Sequence, residues 1–177
     1  PSSTTNADGT RWLDPLKTVK KQMRVGPPYV MYFRVKFYVS DPSKLAEEYT
    51  RYHFFLQVKK DILEGKLVVP YKTATLLASY AVQSELGDYN QEDHTDGYLS
   101  DMRFIPNHTE EFEKEVMELH KQHRGLIPAA CELVFLEKIQ ELDSYGVDLH
   151  KATWVRDQSN LDIQLGVMSV GLVVFQN

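Results

Sequence analysis

A single cysteine, Cys131, is the whole thiol content of the chain, so an internal disulfide framework is excluded and a reducing compartment suits the sequence. Long apolar runs are lacking as well, and none approaches the roughly 20 residues that cross a bilayer as a helix. Pro1 to Arg11 is small and polar, without the apolar segment that directs secretion. Cationic excess is missing: a formal net charge of −5 gives no basis for general nucleic-acid binding. No His-Glu-x-x-His motif, glycine-rich phosphate loop, Ser/His/Asp set or paired-carboxylate pattern stands out. Catalysis, metal and cofactor are therefore not expected of this chain.

What is present suits a folded soluble protein. Hydrophobic residues make up 42% and charged residues 25% of 177 positions, enough for one large domain or parts of several. The charge is unevenly spread. Arg11, Lys17, Lys20, Lys21, Arg24, Arg34 and Lys36 stand against Asp14 alone between Arg11 and Lys36, so the remainder is strongly acidic. Within that stretch Lys17, Lys20, Lys21 and Arg24 are the candidates to meet anionic lipid, each worth about 1 kcal/mol near such a surface. The bland reading, a solvated face, weighs somewhat more.

Tyr71 to Tyr89 supplies the organising helix. Ala74, Leu77, Ala78, Ala81 and Val82 recur at helical spacing, and Leu76, Tyr80 and Leu86 make the surface apolar almost all round. Such a helix must be wrapped by others, and its alanines let them approach closely. Gly87 is its expected left-handed cap.

Around it, Pro1–Thr10 reads as a tail, and Arg11–Arg24 as a short basic segment anchored by Trp12, Leu13, Leu16 and Val19. Tyr29–Val39 alternates as a strand whose sheet partners the chain does not obviously supply. Asp41-Pro42 opens a helix to Glu64 with Tyr49, Tyr52, Leu56 and Leu63 on one face and Phe55, Val58 and Ile62 beside them. Asn90–Asn107 is a flexible acidic loop. Asn107 with Glu110 suggests a capping box for a helix buried through Phe112, Val116 and Leu119. Pro128 begins a last helix whose core line is Ala129, Leu133, Leu136, Ile139 and Leu142. From Val147 the period becomes two, with a hairpin turning at Ser169-Val170-Gly171.

Other side chains have chemistry to weigh. Cys131 has Glu137, not arginine, six residues on, where a thiol phosphatase needs a guanidinium; it reads as a core cysteine within a helix. His120 and His123 share a helix face, but no second ligand pair follows, so a solvated polar face is expected. His94 lies among acids that lack the glycine and terminal glutamate of a calcium loop. Tyr49, Tyr52, Phe54 and Phe55 read as ordinary core.

Several blocks resemble the FERM domain of the band 4.1 superfamily: WLDPLKTVKKQ at 12–22, PPYVMYFRVKFY at 27–38, EEYTRYHFFLQVKKDILEGKL at 47–67, QSELGDY at 83–89, FIPN at 104–107, YGVDLHKA at 145–152 and LGVMSVGLVVF at 165–175. VSDPSKLAEEYTRY, GYLSD and RDQSN are most similar to the FERM module of non-receptor tyrosine phosphatases, while VMELHK and YGVDLHKA look equally like the protein 4.1 branch. Thr153–Val155 stands as extra residues between two blocks. In the ERM branch a phosphoinositide site includes lysines just after the Trp-Leu pair; Lys17 fits that pattern, whereas Asp14 and Thr18 replace lysines.

The resemblance implies an α+β multi-lobe fold: an all-α, acyl-CoA-binding-protein-like lobe flanked by part of a ubiquitin-like lobe and the start of a PH/PTB-like β lobe. The implied boundaries are 1–40 for the tail and C-terminal part of the ubiquitin-like lobe, 41–146 for the helical lobe and 147–177 for the first β strands of the third. It further implies an adaptor that binds cytoplasmic tails of membrane proteins and phosphoinositides and links them to the cortical cytoskeleton, at the inner plasma membrane. A targeting module of a non-receptor tyrosine phosphatase is the alternative, and an acyl-lipid carrier a third. Unpaired strands at both ends are expected to pair with each other, with another copy or with further chain.

Overall fold

Strand pairing begins where the sequence suggested a tail. In the computed structural model, which describes residues 2–6, 9–23, 26–156, 159–168 and 170–176, Ser2–Asn6 (β1) pairs antiparallel with Gly9–Trp12 (β2). Its other edge pairs with Met31–Phe33 (β3), giving the order β2-β1-β3. Threonine-rich polar strands carry no alternation of apolar residues, so the pattern that marks a half-buried strand was absent. The signal present was Asp8-Gly9 between two β-branched stretches. The expected Tyr29–Val39 strand shrinks to three residues. Phe33 and Phe37, which alternate with Arg34, Lys36 and Tyr38 in that stretch, are 67% and 77% exposed. Between β2 and β3 lies the single helical turn Val19–Gln22 (α1).

Pro1–Tyr38 forms one compact unit and Val39–Asn177 a second. The second opens on a 3-10 turn, Pro42–Lys44, whose first donor is capped by the Asp41 carboxylate accepting from Ser43 N at 3.1 Å. The helix expected from Asp41 starts only at Glu48, running Glu48–Leu63 (α2). Then follow Tyr71–Leu86 (α3), Glu110–His120 (α4) and Pro128–Ile139 (α5).

Helix α3 is the hub, packed against both α4 and α5. It buries Ala74, Leu77, Ala78, Ala81 and Val82, together with Thr75, Ser79 and Gln83. Phe55 of α2 meets Phe135 of α5 edge to face with centroids 4.9 Å apart, and burying one such ring contributes roughly 1.5–3 kcal/mol. Two faces are turned from expectation. On α2 the buried line is Phe54, Phe55, Val58, Asp61 and Ile62, while Tyr49 is 72% exposed. On α5 Leu136 and Ile139 of the expected line are buried, but so are Cys131, Glu132 and Phe135, while Ala129 and Leu133 are only half so.

Asp148–Arg156 (β4), Ser159–Met168 (β5) and Gly171–Gln176 (β6) close the chain as an antiparallel meander. Thr153–Val155, the residues that interrupt the family resemblance, lengthen β4 opposite Asn160–Asp162. Gly166 is required here: a Cβ would stand 2.4 Å from Val147 Cγ1 and 2.7 Å from Val173 Cγ1. The strand at Met31–Phe33 and this meander lie in separate sheets, so they do not pair with each other.

Candidate functional site

The basic segment follows β2. Asp14 organises it: one carboxylate oxygen accepts from Leu16 N at 2.9 Å and the other pairs with Lys17 Nζ at 2.9 Å. The ion pair and these hydrogen bonds hold the Asp14 carboxyl below its ordinary range, the Lys17 bond contributing most. One isolated helical turn is unstable alone, and Thr18 gives α1 no side-chain cap. Gln22 clasps it instead. Its amide oxygen accepts from Asp14 N at 2.7 Å, and its nitrogen donates to the carbonyls of Asp14 and Lys17 at 3.0 and 2.8 Å.

That clasp presents Lys17, Lys20 and Lys21 to solvent. Arg24, the fourth sequence candidate, lies outside the described residues. Leu16 and Val19, expected as anchors, are 93% and 47% exposed, because one turn is too short to bury a face. Lys36, counted in the basic stretch but not among those four candidates, makes a contact that the sequence does not show. Lys36 Nζ lies 5.6 Å from the Trp12 ring centroid and 5.5 Å from that of Phe37, within cation–π range. The segment thus places ammonium groups beside exposed aliphatic side chains.

The histidines correct the sequence reading outright. His120 is fully buried and His123 8% exposed, so neither forms a solvated face. His120 Nε2 donates to the Gly87 carbonyl at 2.8 Å, which leaves Nδ1 to accept from the Tyr98 hydroxyl at 2.8 Å. His123 Nε2 lies 2.8 Å from Ser79 Oγ, whose own proton goes to the Leu76 carbonyl at 2.7 Å; the ring therefore donates. Burial pushes the pKa of both imidazoles down, and pushes the Tyr98 phenol up. No cluster of three or more metal-ligating side chains exists among the described residues.

The acidic loop is likewise tied down. His94 Nδ1 accepts from Asn90 N at 3.0 Å, and Tyr89 Oη donates to the His94 carbonyl at 3.2 Å. Just before the loop, Asp88 accepts from Gly125 N at 2.7 Å and from Gln83 Nε2 at 2.8 Å, joining the turn before α5 to the end of α3. Cys131 is buried in α5 and its thiol is pushed up to about 11, chiefly by burial, the opposite of an activated nucleophile.

Residues 40–150 match the family profile of the FERM central domain. The chain belongs to the FERM family. It is 56% identical over 172 residues to human tyrosine-protein phosphatase non-receptor type 4, a match covering 97% of this chain and 18% of that protein. To human protein 4.1 it is 49% identical over 172 residues, covering 97% of this chain and 19% of that protein. The chain therefore spans about a fifth of the length of these relatives. In the complex of the FERM and C-terminal domains of Drosophila Merlin, a chain superposes with a TM-score of 0.81 at 29% identity, covering 99% of this chain and 62% of that one. A human Myosin 7b MyTH4-FERM structure, 16% identical with a TM-score of 0.66 over 88% of this chain and 34% of that one, shares the fold. The FERM fold here is mixed α+β. A FERM chain is an adaptor and targeting module, and the phosphatase match falls on that module of the larger enzyme.

Proposed function

We propose that this FERM module holds its parent protein at the inner face of the plasma membrane by docking cytoplasmic tails of membrane proteins and anionic phospholipid, and links them to the cortical cytoskeleton. One observation carries the lipid part. Lys17, Lys20 and Lys21 stand exposed around Leu16, which is 93% exposed, on a segment clasped by Gln22. Ammonium groups can meet phosphates while an aliphatic side chain enters the interface. With this reading goes the lobe assignment: 1–40 ubiquitin-like, 41–146 helical and 147–177 PH/PTB-like. The division of the chain after Tyr38 and the strands from Asp148 support it.

A second reading, that the module targets a non-receptor tyrosine phosphatase, is favoured by identity of 56% to such an enzyme against 49% to human protein 4.1. The acyl-carrier reading has no such support. The void between α2, α3 and α5 is about 10 Å³, at the lower limit for one water. Self-association belongs to the proposal through the outer edges of β4 and β6, and light scattering reads it as a mass above that of the single chain.

Sedimentation with phosphatidylcholine vesicles, with and without phosphatidylserine, tests the lipid reading. Lys20→Ala/Lys21→Ala is expected to weaken binding to the anionic vesicles by about thirtyfold at low salt, two lysines at about 1 kcal/mol each. Lys17→Ala is expected to cost less, since Asp14 already neutralises it in part. A double variant that sediments like the parent chain overturns the assignment.

A further inference from the structure

A second surface lies wholly within the helical unit. The turn through Asp96–Ser100 stands away from α4 and leaves an open groove of about 280 Å³, lined among others by Asp96, Tyr98, Leu99, Glu110, Lys114 and Met117. Leu99 is buried and Met117 half-buried, giving the groove an apolar base, while Asp96 and Glu110 are exposed on it. The size falls just below the ~300–1,000 Å³ of small-molecule sites. It suits one inserted side chain and its neighbours.

The groove is built before anything binds. Tyr98 N donates to the Thr95 carbonyl at 3.1 Å and Ser100 N to that of Gly97 at 2.9 Å. Gly97 takes φ 85°, a backbone conformation that side-chain-bearing residues rarely adopt. The Tyr98 hydroxyl is fixed by His120 at 2.8 Å, and Glu113 is held by His108 Nε2 at 2.9 Å and Ser100 Oγ at 3.3 Å. A ligand therefore orders little of the loop, which lowers the cost of binding.

Charge selects the class of ligand. Of the charged residues lining the groove, Asp96, Glu110 and Glu113 oppose Lys114 alone, so it favours cations over phosphate-bearing lipid and nucleic acid. Glu110 makes no ion pair among the described residues. We propose that the groove docks a basic segment of a partner protein, which seats one apolar side chain against Leu99 and Met117 while flanking Lys or Arg residues meet Asp96 and Glu110. This surface shares no residue with the lysines assigned to lipid.

The test uses fluorescence anisotropy of the whole chain with a fluorescein-labelled peptide, one phenylalanine flanked by lysine pairs. Binding is expected, with a loss of about fivefold on Glu110→Lys, the size of a favourable exposed ion pair, and a further loss when glycine replaces the phenylalanine. Glu141→Lys makes the same charge change on an exposed residue after α5 and is expected to alter binding by less than about twofold. No binding to the parent chain, or equal losses in the two charge variants, overturns the proposal; the latter would be attraction without a site. Lys20→Ala/Lys21→Ala is expected to leave peptide binding unchanged, so failure here and failure of the lipid reading are distinct results.

Discussion

Gly87 leaves α3 at φ 75° and ψ −156°, which is not the left-handed cap that its position suggested. That combination is essentially restricted to glycine. A Cβ there would meet nothing within 4 Å, so the cost of Gly87→Ala is purely one of backbone strain, about 1–3 kcal/mol, read as a lower urea midpoint with an unchanged slope. The same residue offers its carbonyl to His120, so strain and buried polarity meet at one peptide. His120 and His123 both have pKa values lowered by burial. Below the ordinary histidine value of about 6.5 the unfolded chain takes up protons that the folded chain refuses. Their contribution is therefore intact above that pH and is lost as pH falls below it. Glu132, raised by burial, acts in the opposite sense, so the comparison needs a variant. The decline in unfolding free energy between neutral and mildly acid pH is expected to be shallower in His123→Gln than in the parent chain.

Helix α3, Tyr71–Leu86, was legible within the stretch read as Tyr71 to Tyr89 and stopping at Gly87, because its alanines and leucines repeat at one period and glycine follows. Helix α4 was legible in element and face, with Phe112 and Val116 buried, whereas α2 and α5 were legible as elements but only partly as faces. Helix α5 carries apolar residues nearly all round, so periodicity does not choose between the Leu133 line and the Phe135 line; contact with α2 and α3 does. The basic segment was readable as a cluster, Lys36 included, yet the placing of Lys36 over the ring of Trp12 was not, since that is a contact between distant residues. The histidines failed for the same reason: spacing tells which residues share a face, not whether that face is inside. At the start of α4 the cap lies two residues beyond the one read from the sequence. Asn107 with Glu110 fitted the capping pattern, but the helix begins at Glu110, and Thr109 Oγ1 accepts from Phe112 N at 3.2 Å. Thr109→Ala is expected to cost about 1 kcal/mol of stability, and Asn107→Ala no more than about 0.5 kcal/mol, by chemical denaturation of each.

At the scale of the whole molecule the charge divides with the fold. Up to Tyr38 seven Lys and Arg oppose two acids, a net +5, whereas the remainder has thirteen against twenty-three, a net −10. The second unit holds the aromatic core and the α3 hub within itself. A chain trimmed to Val39–Asn177 is therefore expected to unfold cooperatively, with near-ultraviolet circular dichroism retained. It has lost every lysine of the basic segment and keeps the full acidic excess, so anionic vesicles should no longer retain it at any salt concentration. Attraction of the intact chain to the same vesicles should fall steeply as salt is raised, since exposed charges are screened beyond about 8 Å at physiological ionic strength. If the trimmed chain still bound those vesicles, membrane attachment would have to come from the acidic unit, and Lys17, Lys20 and Lys21 would be no more than its solvated neighbours.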